Sequence, residues 1–407
     1  MMPAAEITAT GAAPARARRR PWRRSLAGGR QPKICFVAPH NYAILSGRSD
    51  IRHVGGAEVQ RALLARELAR RGYEVSFVTQ DHGQPDGVAH DDIRVFKMCA
   101  ASDGWPGLRF FHPRWTSLWA AMSRADADVY YQRTAGVETG QVALWCGWHR
   151  RPFIVGIAND TECDRRLGGR PLPWRERYLY RFGLLRADRV VAQTQTQRRM
   201  LRENLGIDTT VIRSCTLPPS NGGPEPRLAA RPRPLRILWV GRFMPHKRLG
   251  WLLNLARGCP QYEYDVVGGA RRLAPEVRAV IDELSRLPNV YLHGVQPYAR
   301  MPEFYARAAL LVLTSAWEGY PNTFLEAWAR GVPTVGTVDP DNVVTANGLG
   351  RCAATPEQLR QAVEGLLSSD EVWDACARRA RDFFAANHSI PSTADRFERL
   401  VRGLVST

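Results

Sequence analysis

Twice along this chain, short apolar runs rich in β-branched and aromatic residues alternate with stretches of helical spacing. Between the two series lies "TLPPSNGGPEPRLAARPRPL", residues 216–235, dense in Pro, Gly and Arg. Such composition cannot continue a helix or a central strand, so it reads as a linker. The first series opens with the strand text "KICFVAP", continues through the helical "GGAEVQRALLARELARRG" and returns to "YEVSFVT". Further strand text follows in "IRVFKM", "DVYYQR", "FIVGIAN" and "DRVVAQT". The second series starts at "RILWVGRF" and runs through "YEYDVVGG", "VYLHG", "ALLVLTS" and "PTVGT", again with helical text between. Strand–helix–strand alternation of this kind predicts an α/β fold of two Rossmann-like halves, each a mainly parallel sheet covered by helices. Ligands of such sheets bind beyond the carboxyl ends of the strands, which puts the expected site in the cleft between the halves. The expected division is a disordered basic arm over 1–30, a first domain over 31–218, a linker over 219–233, a second domain over 234–385 and a C-terminal segment over 386–407.

Composition narrows the function classes. Lys and Arg number 57 against 39 Asp and Glu, a net charge of +18, which favours phosphate-bearing substrates, acidic lipid or nucleic acid. Neither a helix-turn-helix, a zinc-finger nor an RNP signature accompanies that charge, so no nucleic-acid partner is expected. The eight cysteines show no C-x-x-C pairing, in keeping with a reducing cytosol and without zinc-binding spacing. No apolar run reaches membrane-spanning length. The Arg-rich residues 1–30 lack the apolar region of a secretory signal. The expected location is the cytoplasm, with contact to an anionic inner membrane face left open for the arm. The same contact is left open for the cationic aromatic helix "WRERYLYRFGLLRADR", residues 174–189.

The chemistry concentrates in three stretches. "EGYPNTFLEAWARG", residues 318–331, begins at the carboxyl end of a buried strand. Asn322 is a good N-cap residue for the helix that follows, and a helix N-terminus favours anions. Gly319 allows close backbone approach. Glu318 in the loop and Glu326 one turn into the helix can face one cleft, where carboxylates accept from sugar hydroxyls; the plain alternative is two surface acids. In "WVGRFMPHKRLGWLL" a strand ends at Gly241, with Arg242 next and Lys247 five residues later, two cations within reach of a diphosphate. "GGAE" at 55–58 places Gly55 and Gly56 at the first loop–helix junction. No G-x-G-x-x-G follows a strand, which argues against a nicotinamide dehydrogenase.

In this order and spacing the motifs resemble the retaining family 4 glycosyltransferases of GT-B fold (group 1), over residues 33–400. The resemblance implies two Rossmann-like domains facing across a central cleft, with the C-terminal helix returning to the N-terminal domain. It implies a first domain that binds the acceptor and a second that binds a UDP- or GDP-sugar. Arg242 and Lys247 would neutralise the donor diphosphate, and Glu318 would stabilise or orient the donor sugar. Glu326 would bind the ribose. Gly241, Gly319, Tyr320, Pro321 and Asn322 would hold phosphate and sugar, and Gly294 and Val295 the base, while Gly55 and Gly56 would reach the diphosphate from the first domain. The acceptor would be a glycan, a lipid-linked sugar or a small molecule. No metal or other cofactor is implied, and the D-x-D "DAD" at 126–128 leads into a strand. Members commonly carry a His after the middle strand of the first domain; here that stretch holds Asn159 and Asp160, a loop cap or a polar group of the site. Arg133, at another strand end, is a further residue placed to face the cleft. A non-catalytic scaffold of the same fold and a nucleotide-sugar epimerase are the competing readings.

Overall fold

The computed structural model describes residues 30–48, 55–164, 173–217, 231–270 and 272–405. The expected basic arm, apart from Arg30, and most of the expected linker lie outside these residues.

The first sheet contains β1 (Ile34–Val37), β2 (Val75–Thr79), β3 (Val88–His90), β4 (Ile93–Lys97), β5 (Val129–Arg133), β6 (Phe153–Gly156), β7 (Arg189–Ala192) and β8 (Thr210–Val211). Their order is β3-β4-β2-β1-β5-β6-β7-β8, parallel except for the β3–β4 pair. The strand order reverses between β1 and β5, the position where open α/β sheets leave a crevice for ligand. Because β1 is buried on both faces, its residues divide between two cores. Ile34 and Phe36 pack on one side with the helix Gly56–Arg70, and Cys35 and Val37 pack on the other with the helices Thr116–Ala125, Val137–His149 and Trp174–Arg186. That two-sided burial explains the unbroken apolar strand text. Asp128, the last residue of the D-x-D, is buried where it accepts from the Lys33 amide (2.9 Å) and from Arg30 (2.8 Å), a structural role.

The second sheet contains β9 (Arg236–Arg242), β10 (Glu263–Gly269), β11 (Val290–Gly294), β12 (Leu310–Leu313), β13 (Thr334–Gly336) and β14 (Gly350–Cys352), all parallel in the order β11-β10-β9-β12-β13-β14. Here the reversal lies between β9 and β12. Those two strands carry the two second-half motifs, so the topology brings their loops together. At the end of β10, Gly268 adopts φ +145, and a Cβ there would sit 1.8 Å from the Gly241 carbonyl oxygen. Only glycine permits the strand ends to approach so closely.

The helix Asp370–Asn387 packs Ala380 and Phe384 into the second domain. The chain then crosses at His388–Ser389, and the helix Ile390–Arg402 docks on the first domain. Phe397 stacks on Phe36 at 6.3 Å between ring centroids, and Arg71 binds Asp395 and Glu398. Phe397, Leu400 and Val401 are buried there, each worth about 1.5–3 kcal/mol relative to exposure.

Candidate functional site

The 318–322 loop leaves the carboxyl end of β12 beside the loop that leaves β9. Lys247 forms a close ion pair with Glu318, so the two side chains expected to act on separate parts of a donor are held against each other. Arg242 ends β9 with an exposed guanidinium that has no hydrogen-bond or ion-pair partner among the described residues. Arg248 fixes the same junction, donating to the carbonyls of Thr314 and Ser315 at 2.9 Å each. His246 stacks on Trp317. Arg248 and His246 are the scaffold of this junction that the sequence reading missed; Arg248 sits at φ +47, which no local pattern announces.

Glu326 is buried, 8% exposed, and its Oε2 accepts from the Tyr305 hydroxyl at 2.6 Å. Burial pushes its pKa up to about 7, against the opposing hydrogen bond from Tyr305 and the charge of Arg330. Desolvation therefore outweighs every favourable contact, and the group titrates near neutrality.

The helix spans Asn322–Trp328, and its N-cap is Pro321, not Asn322. Pro321 has no N–H to offer, and its carbonyl accepts from Phe324. The expected capping by Asn322 is thus corrected. Its amide reaches across to the first domain, donating to the Gly56 carbonyl at 2.8 Å and accepting from Gln60 at 3.2 Å. Gly56 accordingly faces Asn322, where a Cβ would lie 2.6 Å from the amide nitrogen, while Gly55 abuts Glu58 of its own helix. Gly56 thus meets the second domain at the start of the Asn322–Trp328 helix. Gly319 makes its close approach to protein: a Cβ would stand 2.5 Å from the Ala158 carbonyl oxygen, beyond the end of β6.

Tyr320 turns its side chain out of the cleft. Its hydroxyl meets His388 Nε2 at 3.0 Å, and His388 Nδ1 meets the Ser214 carbonyl at 2.8 Å. A carbonyl can only accept, so Nδ1 carries the proton and Nε2 accepts from Tyr320. Burial, aided by Arg213, holds His388 down to about 4, so it is neutral at physiological pH. The Ser214 hydroxyl donates to the Gln193 side chain (2.7 Å), the Gln193 backbone N–H donates to the Gln197 side chain (2.8 Å), and Gln197 donates to Asp160 (2.9 Å). A continuous hydrogen-bonded path thus joins the 318–322 loop, the crossing point and the first domain.

Of the two residues standing where a His was expected, Asn159 is the cap: its side chain accepts from the Thr161 amide. Asp160 faces the second domain. Burial raises it to about 6, with Asp341 and Glu318 adding repulsion. Asp341 crosses in the opposite direction and accepts from the amides of Gln195 (2.8 Å) and Thr196 (2.9 Å) at the start of the helix Gln195–Leu205. Arg133 does not join this group. With Arg213 it lines a small cavity between the first sheet, the 212–214 segment and the C-terminal helix. At the β11 end, Gly294 adopts φ +66 and Val295 is exposed, but the His293 carbonyl already accepts from Gln296.

Two family models match the chain. The description "Glycosyl transferase 4-like domain" covers residues 55–214, and "Glycosyl transferases group 1" covers residues 234–369. Mannosylfructose-phosphate synthase of Agrobacterium fabrum is 24% identical over 352 residues, covering 76% of this chain and 77% of that protein. The O-antigen biosynthesis glycosyltransferase WbnH of Escherichia coli is 29% identical over 151 residues, 37% of this chain and 41% of that protein. Among solved structures, sucrose-phosphate synthase from Thermosynechococcus elongatus superposes with a TM-score of 0.74 at 18% identity, covering 92% of this chain and 99% of that one. Anabaena HepE in complex with UDP-glucose superposes with a TM-score of 0.68 at 16% identity, covering 92% and 100%. At these identities the superpositions establish the two-domain fold.

Proposed function

The chain belongs to the group 1 glycosyltransferases, with a 4-like domain as its first half, and from that premise we propose that it moves a sugar from a nucleoside-diphosphate sugar to a hydroxyl acceptor, with retention of anomeric configuration and without a metal. The observation that carries the reading is the Lys247–Glu318 pair, which joins the β9 and β12 loops, with Arg242 exposed at the end of β9. Arg242 supplies a guanidinium fork for the diphosphate, and Lys247 moves part of its charge from Glu318 to the β-phosphate as negative charge grows on the leaving group. Glu318, released from Lys247, turns to the donor sugar. Glu326 accepts from ribose hydroxyls behind it. Fixed cations at the leaving group take the part that a bound metal plays elsewhere. The backbone of 319–322, Gly241 and the 294–295 turn complete the donor side, and the acceptor enters from the first domain near Asp160. HepE, solved with UDP-glucose, has the same fold, which supports UDP as the nucleotide to try first. Family membership weighs against the scaffold and epimerase readings.

The acceptor side also suits a membrane surface. Trp174 and Tyr178 on the helix Trp174–Arg186, with Trp105 and Phe111 of the neighbouring segment, are more than 60% exposed. Arg175 sits over the Phe110 ring at 3.9 Å and ties the two segments together. Aromatic and Arg side chains in this combination suit an anionic interface and a lipid-linked acceptor. No described helix is long and apolar enough to cross a membrane.

The test is thermal unfolding against nucleoside diphosphates with and without EDTA. One diphosphate should raise the midpoint equally in both conditions, and Arg242→Ala should abolish the rise. No rise with any nucleotide overturns the reading; a rise that EDTA removes overturns metal independence.

A further inference from the structure

The cavity lined by Arg133 and Arg213 lies apart from the donor side: neither Arg242, Lys247, Glu318 nor Glu326 lines it. It offers about 30 Å³ to the centres of water-sized molecules. That is room for about two waters or one small ion, and too little for a sugar or a nucleotide. Its polar walls are Gln60, Gln193, Ser214, Thr393 and the Tyr131 hydroxyl together with the two arginines, and no carboxylate stands among the described residues that line it.

The neutral walls are already satisfied. Gln60 donates to the Cys215 carbonyl and accepts from the Cys215 amide. Gln193 donates to the Ile157 carbonyl and accepts from the Ser214 hydroxyl. Thr393 donates to the Arg213 carbonyl. The cations are satisfied only in part: Arg133 bonds the Tyr131 hydroxyl on the same wall. Arg133 Nε is buried without a hydrogen-bond partner, and Arg213 spends one N–H on the neutral Asn387 side chain at 3.2 Å. Neither has an ion-pair partner among the described residues. Arg61, buried one helix turn from the cavity, shows the contrast, since its guanidinium is matched by Glu58 at 2.9 Å. Two half-buried arginines that line one small, partly open and largely apolar cavity without a carboxylate favour an anion between them. A planar fork of N–H donors matches an oxyanion better than it matches water.

We propose that this cavity binds one small inorganic oxyanion of phosphate size, held between Arg133 at the end of β5 and Arg213 on the segment that leaves the first domain. The anion ties together the first sheet, the exit segment and the C-terminal crossing. Arg213 adjoins Ser214, whose carbonyl anchors His388 and through it Tyr320, so occupancy also steadies the donor loop.

The test is thermal unfolding of the whole chain in potassium gluconate, with inorganic phosphate or sulfate exchanged in at constant ionic strength. It is run twice, once with saturating UDP to fill the donor side and once with Arg242→Ala in the absence of UDP. The midpoint should rise saturably, by about 5 °C at a hundredfold excess over Kd. Arg133→Gln and Arg213→Gln should each abolish that rise, and in gluconate alone Arg133→Gln should unfold no earlier than the unsubstituted protein, because it removes an uncompensated cation. An equal rise in both variants, an unsaturable rise, or a rise with chloride but with neither oxyanion overturns the assignment. Failure of UDP to bind would count against the donor reading only, since the Arg242→Ala arm still reports on the cavity.

Discussion

Glu326→Gln tests the electrostatics of the second domain directly. In the folded protein Glu326 titrates near 7, against an ordinary value of 4.5, because it is buried. The folded chain therefore holds a proton that the unfolded chain gives up in that window, and stability falls as pH rises through it. At about 1.36 kcal/mol per pH unit, the 2.5-unit gap amounts to about 3 kcal/mol. The contribution is fully present below pH 4.5 and lost above pH 7. Glutamine keeps an oxygen to accept from Tyr305 and cannot ionise. Thermal midpoints of both proteins from pH 4.5 to 8 should thus diverge: the wild type loses stability relative to Glu326→Gln as pH rises, by about 3 kcal/mol across the window. Groups common to both proteins cancel in the difference. Parallel curves would refute the argument and show that Glu326 ionises in the fold at no cost. A second readout concerns the donor: ribose hydroxyls donate to the ionised carboxylate, so UDP binding at pH 6.5 should release a proton in the wild type and none in Glu326→Gln, as calorimetry in two buffers of different ionisation heat would show.

Two further substitutions separate loop placement from folding. Gly319→Ala puts a methyl 2.5 Å from the Ala158 carbonyl oxygen of the other domain. Turnover should fall at least tenfold while each domain keeps its fold by circular dichroism; unchanged kcat would show that the contact is not part of the working arrangement. Tyr320→Phe leaves the buried His388 Nε2 without its donor and should cost about 1–3 kcal/mol of stability, measured as a lowered midpoint; an unchanged midpoint would show that the Tyr320–His388 bond contributes nothing net.

What the sequence disclosed and what it withheld divide by range. β1, β9 and β12 were legible because two-sided burial makes each strand a continuous apolar run, and the turns around them carry Gly and Pro. The 318–331 motif was legible because its Gly, Pro, Asn and Glu sit within one loop and one helix. Asn322 was misread because capping is the local habit of asparagine, whereas here its partner, Gly56, lies 266 residues away. The Asp341 contacts with Gln195 and Thr196, and the Tyr320–His388 bond, are likewise made by pairs far apart in the chain. Arg133 was correctly placed at a strand end, but a strand end does not say which side of the sheet a long side chain takes. Glu326 was assigned to the cleft by spacing alone; that it is buried against Tyr305 follows from packing that no single motif encodes.

The most direct test of the proposed chemistry needs no acceptor. Each UDP- or GDP-sugar that stabilises the protein is incubated with it, and the first sugar released by slow donor hydrolysis is followed by proton NMR before mutarotation. The account predicts release of the same anomer that the donor carried, together with UDP or GDP, and loss of the reaction in Arg242→Ala. Release of the opposite anomer would contradict the retaining mechanism, and no turnover of a donor that binds, with acceptors supplied as well, would contradict the assignment of catalysis to this site.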